Sequence, residues 1–127
     1  MQKETLRHGK KLKINYLIER DRHPELHKFL EKLKKDDLPT FKKAIKFLDK
    51  LKDNPEAFKK LKKFKKLTHE QDLWELVISN ETRFFLFYCA GNEVCITHGF
   101  RKQKKNSKKL QQEIEKAATI KKRFYHG

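Results

Sequence analysis

The chain of 127 residues has the length of one domain, and 33 lysines and arginines against 17 acidic residues give it a formal charge of +16. So large a surplus repels itself in the compact state and favours a polyanionic partner, of which nucleic acid is the commonest, with an anionic membrane surface or an acidic protein as alternatives. No apolar run reaches the ~18 residues of a membrane span, no secretory signal is evident, and the two cysteines lack metal or disulfide spacing. We therefore expect a cytoplasmic protein.

The first half of the chain predicts one strand followed by helices. Residues 1–10 are polar and basic, which predicts a loose tail, whereas apolar and polar residues alternate between Lys11 and Glu19 as in a half-buried strand. Helical spacing after Pro24 predicts two amphipathic helices, the second ending before Pro55. Between residues 55 and 67 an apolar residue recurs at every third position, which predicts a short helix or 3₁₀ segment with a lysine-covered face.

The second half predicts strands and a final helix. Residues 73–78, 83–89 and 94–98 have strand composition, and Gly91-Asn92 marks a hairpin turn between the last two. The apolar spacing from about Ser107 to Phe124 predicts a C-terminal helix. The predicted fold is α+β, with a strand, two helices, a three-stranded antiparallel meander and a C-terminal helix in one domain over residues 1–127.

Two lysine-dense segments flank the predicted meander. Their candidate anion-binding side chains are Lys62, Lys63, Lys65, Lys66, Lys104, Lys105, Lys108 and Lys109. Because the meander separates the segments, both can lie toward one end of the sheet and surround one groove, although a solvated surface is the ordinary interpretation of a lysine run. Lys108 and Lys109 place positive charge in the first turn of the predicted helix, where it is unfavourable because it opposes the helix dipole. A phosphate bound at this helix start would offset that cost.

Arg83 and His98 are the remaining candidates for chemistry. Arginine holds phosphate through a bidentate fork, but Arg83 has an alternative as the ion-pair partner of Glu75 or Glu81. His98 has the pKa range for proton transfer, although a histidine at a strand end is commonly structural. His23 and His27 have metal-ligand spacing without a third ligand, so we expect no metal and no cofactor.

Several segments together resemble the RelE/ParE toxin superfamily, and most closely its phage-derived, HigB-like branch. The resemblance covers about residues 65–118 and is carried by the segments Leu73-Trp74-Glu75-Leu76, Arg83-Phe84-Phe85-Leu86-Phe87-Tyr88, His98-Gly99-Phe100-Arg101-Lys102 and Glu113-Ile114. It implies a RelE-like fold and the toxin of a type II toxin–antitoxin pair, neutralised by a helix-turn-helix antitoxin. It also implies a metal-independent mRNA endoribonuclease that inhibits translation, commonly at the ribosome.

The resemblance assigns roles to individual residues. It implies that Arg83 binds the scissile phosphate, that Arg101 and Lys102 stabilise the transition state and protonate the leaving group, and that Lys104 and Lys105 follow the RNA backbone. The chain departs from the family pattern where Val77 replaces an arginine and where a tyrosine after the basic loop is missing. Either departure is compatible with weakened activity, with a different base, or with a role taken by His98 or Tyr125.

Two other functions stay open from the sequence. One is a ParE-like toxin that binds DNA gyrase, because one fold serves both activities. The other is a basic module that binds RNA or the ribosome without cutting. The nuclease hypothesis requires Arg83 and Arg101 to converge on one phosphate in a shared cleft, and a plain polyanion-binding protein is the interpretation if they point to opposite sides of the molecule.

Overall fold

The computed structural model describes residues 1–68, 72–102 and 107–126, except for the side chains of Thr68, Ser107 and Lys108. It contains a six-stranded mixed sheet and four helices, so the predicted α+β class is confirmed. The elements in chain order are β1 (Gln2–His8), β2 (Lys13–Ile18), α1 (Glu25–Asp36), α2 (Leu38–Leu51), α3 (Pro55–Lys60), β3 (Phe64–Thr68), β4 (Leu73–Val77), β5 (Thr82–Ala90), β6 (Glu93–Arg101) and α4 (Ser107–His126). None of the helices in the described ranges is long and apolar enough to cross a membrane.

The strands lie in the order β1-β2-β6-β5-β4-β3. The predicted meander is confirmed, because β4, β5 and β6 pair as antiparallel neighbours. The parallel pairing of β2 with β6 places the N-terminal strand beside the last one and requires a long crossover connection. The chain between β2 and β6 contains the helices α1, α2 and α3 and the strands β3, β4 and β5.

The prediction of a loose tail at residues 1–10 is wrong. Residues Gln2 to His8 form the edge strand β1, which pairs antiparallel with β2 over most of its length. Both of its faces are largely exposed, so its side chains lack the apolar alternation by which a strand is recognised in a sequence. Its strand geometry comes from main-chain hydrogen bonds to β2.

The predicted short helix over residues 55–67 is confirmed only at its beginning. Helix α3 ends at Lys60, and Lys62 adopts a left-handed conformation with φ 57°. The amide of Lys63 donates to the Phe58 carbonyl and that of Lys62 to the Lys59 carbonyl, which is a Schellman motif with lysine at the usual glycine position. The chain then turns into β3, the second strand that the sequence did not predict.

The two helices of the hairpin cover one face of the sheet. Asp37 separates them and caps α2, because its carboxylate accepts hydrogen bonds from the amide and hydroxyl of Thr40. Buried side chains of both helices pack on the sheet in the larger core, which includes Leu26, Leu33, Ala44, Leu48, Phe84 and Leu86. Helix α4 covers the opposite face in a second core with Phe85, Phe87, Phe100, Ala117 and Ile120.

Candidate nucleic-acid interface

Arg83 and Arg101 lie on opposite faces of the sheet. In the β5–β6 pair Arg83 stands opposite Phe100, and Arg101 stands opposite Thr82. Because successive strand residues point to alternate faces, Arg83 shares the face of Phe100 under α4, whereas Arg101 points to the hairpin of α1 and α2. The described residues therefore form no shared cleft around these two arginines, contrary to the convergence that the nuclease hypothesis requires.

Arg83 is held within its own face by a buried carboxylate. Its Nη1 donates to Glu75 Oε2 at 3.2 Å and its Nη2 to the Asn80 carbonyl at 3.4 Å, and its side chain is only 13% exposed. Lys65 Nζ lies 3.5 Å from the same carboxylate, which is 2% exposed. The ion pair with Glu75, the alternative given by the sequence, is thus present. Val77 stands directly opposite Arg83 in the β4–β5 pair, so the arginine that the family pattern has at position 77 would lie beside Arg83.

A cleft of about 640 Å³ opens beside Arg101, at the end of β6. Strand β2 pairs with β6 only as far as Ile96, so the following residues of β6 pair on one side only, with β5. Side chains of α1 and α4 line the cleft on either side of this free edge. Among the described residues, the charged side chains lining the cleft are Lys32, Asp36, Glu81, Arg101, Lys102, Lys109 and Glu113.

Arg101 is anchored at the rim of this cleft. Its guanidinium contacts the carboxylate of Asp37 and lies 3.5 Å from Glu81 Oε2, and its side chain stays 35% exposed. The Lys102 amide donates to the Glu81 carbonyl, which fixes the chain where β6 ends. The hydrogen bonds from Thr40 and then from Arg101 lower the pKa of Asp37. Arg101 is therefore tied to the cap of α2 and keeps donors directed at solvent.

His98 lies behind the cleft and contacts Glu113 of α4. The ring is 2% exposed, its Nε2 lies 2.9 Å from Glu113 Oε2, and its Nδ1 lies 3.1 Å from Thr97 Oγ1. A neutral ring protonated at Nε2 satisfies both contacts. Burial, followed by the positive charge of Lys116, lowers the pKa of His98 despite the opposing effect of Glu113. The carboxylate of Glu113, 20% exposed, is the member of the pair that reaches the cleft.

The first lysine-dense segment lies on α3, β3 and the turn between them. Lys63 lies at the same end of the sheet as Arg101, because its carbonyl accepts from the Val77 amide where β4 ends. Its Nζ lies over the Phe47 ring, 5.3 Å from the centroid, while Lys62 is exposed in the turn. Lys65 and Lys66 pair with Glu75 and Asp72. These lysines surround the outer edge of the sheet and do not line the Arg101 cleft.

The second segment is described only in part. Lys109 lines the cleft from the first turn of α4, a turn without acidic residues. Lys104, Lys105 and the side chain of Lys108 lie outside the described residues. Tyr125 lies at the far end of α4, where its hydroxyl donates to the Tyr88 carbonyl at 3.4 Å, so it cannot act at the cleft.

The sequence did not identify Lys32, Asp36 or Glu113 as site residues. Glu113 belongs to a segment that carries the family resemblance, but its contact with His98 depends on how α4 packs against β6. Within the described ranges, no cluster of three or more His, Cys, Asp or Glu side chains could hold a metal ion. The His23 ring instead contacts Glu31 at 3.0 Å.

Comparison with known protein families gives a match that covers most of the chain. A family model described as "Phage derived protein Gp49-like (DUF891)" matches residues 28–122, from within α1 to near the end of α4. No curated protein matches the chain. The matched segment contains the Arg101 cleft, Arg83 and the complete meander.

Proposed function

The chain belongs to the phage-derived Gp49-like family, and on that premise we propose that it is the toxin of a type II toxin–antitoxin pair whose target is RNA. A helix-turn-helix antitoxin would be its cellular partner, and the ribosome the place where it meets mRNA. The observation that carries the proposal is the Arg101 cleft, where cationic side chains from α1, β6 and α4 surround a free strand edge. The overall charge of +16 adds long-range attraction for RNA.

The activity we propose is metal-independent cleavage of mRNA in this cleft, by a scheme that uses Arg101 and Lys102 without Arg83 and so replaces the two-arginine convergence on which the sequence-based nuclease hypothesis depended. The Glu113 carboxylate takes the proton of a ribose 2′-hydroxyl, whose oxygen attacks the adjacent phosphorus. Arg101 and Lys102 stabilise the charge that develops on the phosphate oxygens, and Lys102 protonates the departing 5′-oxygen. The products are a 2′,3′-cyclic phosphate and a 5′-hydroxyl end. His98 donates to one oxygen of Glu113 and leaves the other oxygen for the proton transfer.

Arg83 has no direct role in this scheme, because its guanidinium lies on the other face and is engaged by Glu75. The resemblance instead implies that Arg83 binds the scissile phosphate. The resemblance and this scheme therefore predict opposite effects on cleavage when Arg83 is replaced. Arg83→Lys keeps a positive charge beside Glu75 but removes the planar fork. We expect this variant to retain cleavage. A loss of cleavage without a loss of folding stability would place the phosphate on the α4 face.

Binding without cleavage is the second candidate function. Arg83 and Arg101 lie on opposite faces of the sheet, so they cannot bind the same phosphate together as the nuclease hypothesis required. This arrangement favours binding without cleavage. A toxin of this kind would inhibit translation by occupying mRNA or the ribosome.

A cell-free translation reaction with mapping of mRNA ends tests these functions. We expect the native chain to cut mRNA, and Glu113→Gln to reduce the cleavage rate by about 10²–10⁴-fold while RNA binding is retained. Glu115→Gln is the matched control, because Glu115 lies on the same helix, is exposed and does not line the cleft. Cuts at codon spacing would support dependence on the ribosome.

Other outcomes of the same experiment separate the alternatives. Intact mRNA with inhibited translation and bound ribosomes indicates the module that binds without cutting. Intact mRNA and inhibited supercoiling of plasmid DNA indicate a toxin that acts on gyrase. Equal cleavage by Glu113→Gln and the native chain would exclude Glu113 as the general base.

A further inference from the structure

A second cationic groove lies at the other end of α4. It has a volume of about 790 Å³ and is bounded by the last turns of α4 and by the connection between β2 and α1. The described residues that line it include one carboxylate, that of Glu19, and four cationic side chains: Arg20, Arg22, Lys122 and Arg123. We call this the distal groove.

Glu19 organises the arginines of the distal groove. Its carboxylate lies 3.3 Å from Arg22 Nη1 and 2.9 Å from Arg123 Nη1. The two arginine side chains are 71% and 50% exposed, whereas that of Glu19 is 26% exposed. One carboxylate thus orients two guanidinium groups and neutralises only one of them. Because both arginine side chains are at least half exposed, N–H donors of each guanidinium stay accessible to phosphate oxygens.

The α1–α4 seam, the line along which these two helices face each other, runs from the distal groove toward the Arg101 cleft. Glu25 of α1 contacts Lys116 of α4 at 3.7 Å, and Lys32 and Lys109 of the same helices line the cleft, so the two helices run antiparallel. A narrow space of about 70 Å³ lies between them, lined in part by Lys28 and Lys116. With a rise of 1.5 Å per residue, Lys109 and Lys122 are about 20 Å apart along α4, which a few nucleotides can span.

We propose that the distal groove is a second RNA-backbone site, which holds the single strand after it leaves the cleft along the α1–α4 seam. This rests on the proposed function, because it takes RNA as the target. A single strand is favoured over an acidic protein because a protein interface is centred on large apolar or aromatic side chains, whereas the long side chains that the described residues bring to this groove are mainly cationic. Phosphate binding needs cationic donors, which Arg20, Arg22, Lys122 and Arg123 supply.

The test measures binding of fluorescein-labelled single-stranded RNAs of about 4 and about 12 nucleotides, a range that such sites commonly cover, by fluorescence anisotropy. The variant is Arg20→Ala/Arg22→Ala/Lys122→Ala in the full chain. The matched control is Lys42→Ala/Lys46→Ala/Lys50→Ala, which removes the same charge from the exposed surface of α2. Circular dichroism checks that both variants keep the native fold.

We expect the distal variant to bind the longer RNA at least about tenfold more weakly than the control and to bind the shorter RNA as the control does. Its salt dependence should also become shallower, by about 0.7 in logarithmic slope for each phosphate that the groove no longer neutralises. If both variants bind the longer RNA equally while the native chain binds it well, the distal groove is not an RNA site and only this inference fails. If the native chain binds neither RNA, the proposed function fails first. Labelled polyglutamate is measured in the same assay as an acidic polypeptide. If the distal variant binds both RNAs as the control does but loses binding of polyglutamate, the groove is specific for an acidic protein and the inference is overturned.

Discussion

Replacing Gly99 by alanine tests how closely α1 is packed against β6 beside the cleft. A methyl group at this position would lie 2.3, 2.5 and 2.6 Å from three ring atoms of Phe29. These distances are far below van der Waals contact, so the ring must move. The ring cannot turn aside freely, because it packs edge-on against Phe84 with a centroid distance of 5.6 Å.

The magnitude follows from the cost of inserting a methyl group into a packed interface, about 1–3 kcal/mol. For a domain of this size, ~4 °C of melting temperature corresponds to 1 kcal/mol, so we expect Gly99→Ala to melt about 4–12 °C lower. The substitution acts through the Phe29 ring, so a smaller side chain at residue 29 should relieve it. In a double-mutant cycle with Phe29→Leu, the double variant should be at least ~0.5 kcal/mol more stable than additivity predicts.

Urea unfolding of the four proteins, followed by tryptophan fluorescence, gives these free energies. Gly91→Asn is the control for losing a glycine, because nothing lies within 4 Å of a Cβ at Gly91 and asparagine tolerates its φ of 37°. The explanation would be refuted if Gly99→Ala unfolded within ~0.5 kcal/mol of the native chain, or if the effects of the two substitutions were additive.

Three further predictions follow from individual contacts. Lys62→Gly should raise the free energy of unfolding by about 1 kcal/mol, because Lys62 has φ 57°; urea unfolding beside Lys62→Ala separates this gain from the loss of charge. The lowered pKa of His98 means that the unfolded chain takes up its proton first, so stability should fall as pH drops below 6.5 toward the folded pKa. His98→Gln should flatten this part of the pH profile of the urea midpoint, and parallel profiles would contradict the assignment. A hydrogen bond from the Cys95 thiol, 2.9 Å away, lowers the pKa of Cys89 to about 7. Cys95→Ala should therefore slow iodoacetamide alkylation of Cys89 at neutral pH by roughly tenfold, and an unchanged rate would exclude this thiol contact as the cause.

The sequence alone determined the elements that carry their own periodicity. The apolar spacing of α1, α2 and α4, and the composition of β4, β5 and β6, mark each of them because each buries one face or both. The sequence also contained the relative directions of Arg83 and Arg101. A two-residue turn at Gly91-Asn92 pairs Arg83 with Phe100, so Arg101 must point to the other face. The two bulges between the turn and this pair cancel, and the observed register is the one that the turn implies.

Only the tertiary structure decided the edge strands and the site. Strands β1 and β3 are held by main-chain hydrogen bonds to β2 and β4, respectively. Because these bonds do not depend on the side chains, they impose no periodic apolar pattern on the sequence. The contact between His98 and Glu113 joins a strand to a helix 15 residues later and depends on the angle at which α4 crosses β6. Local periodicity records which face of an element is buried, whereas a site at an α1–α4 seam depends on which elements meet, and that is set by packing across the whole domain.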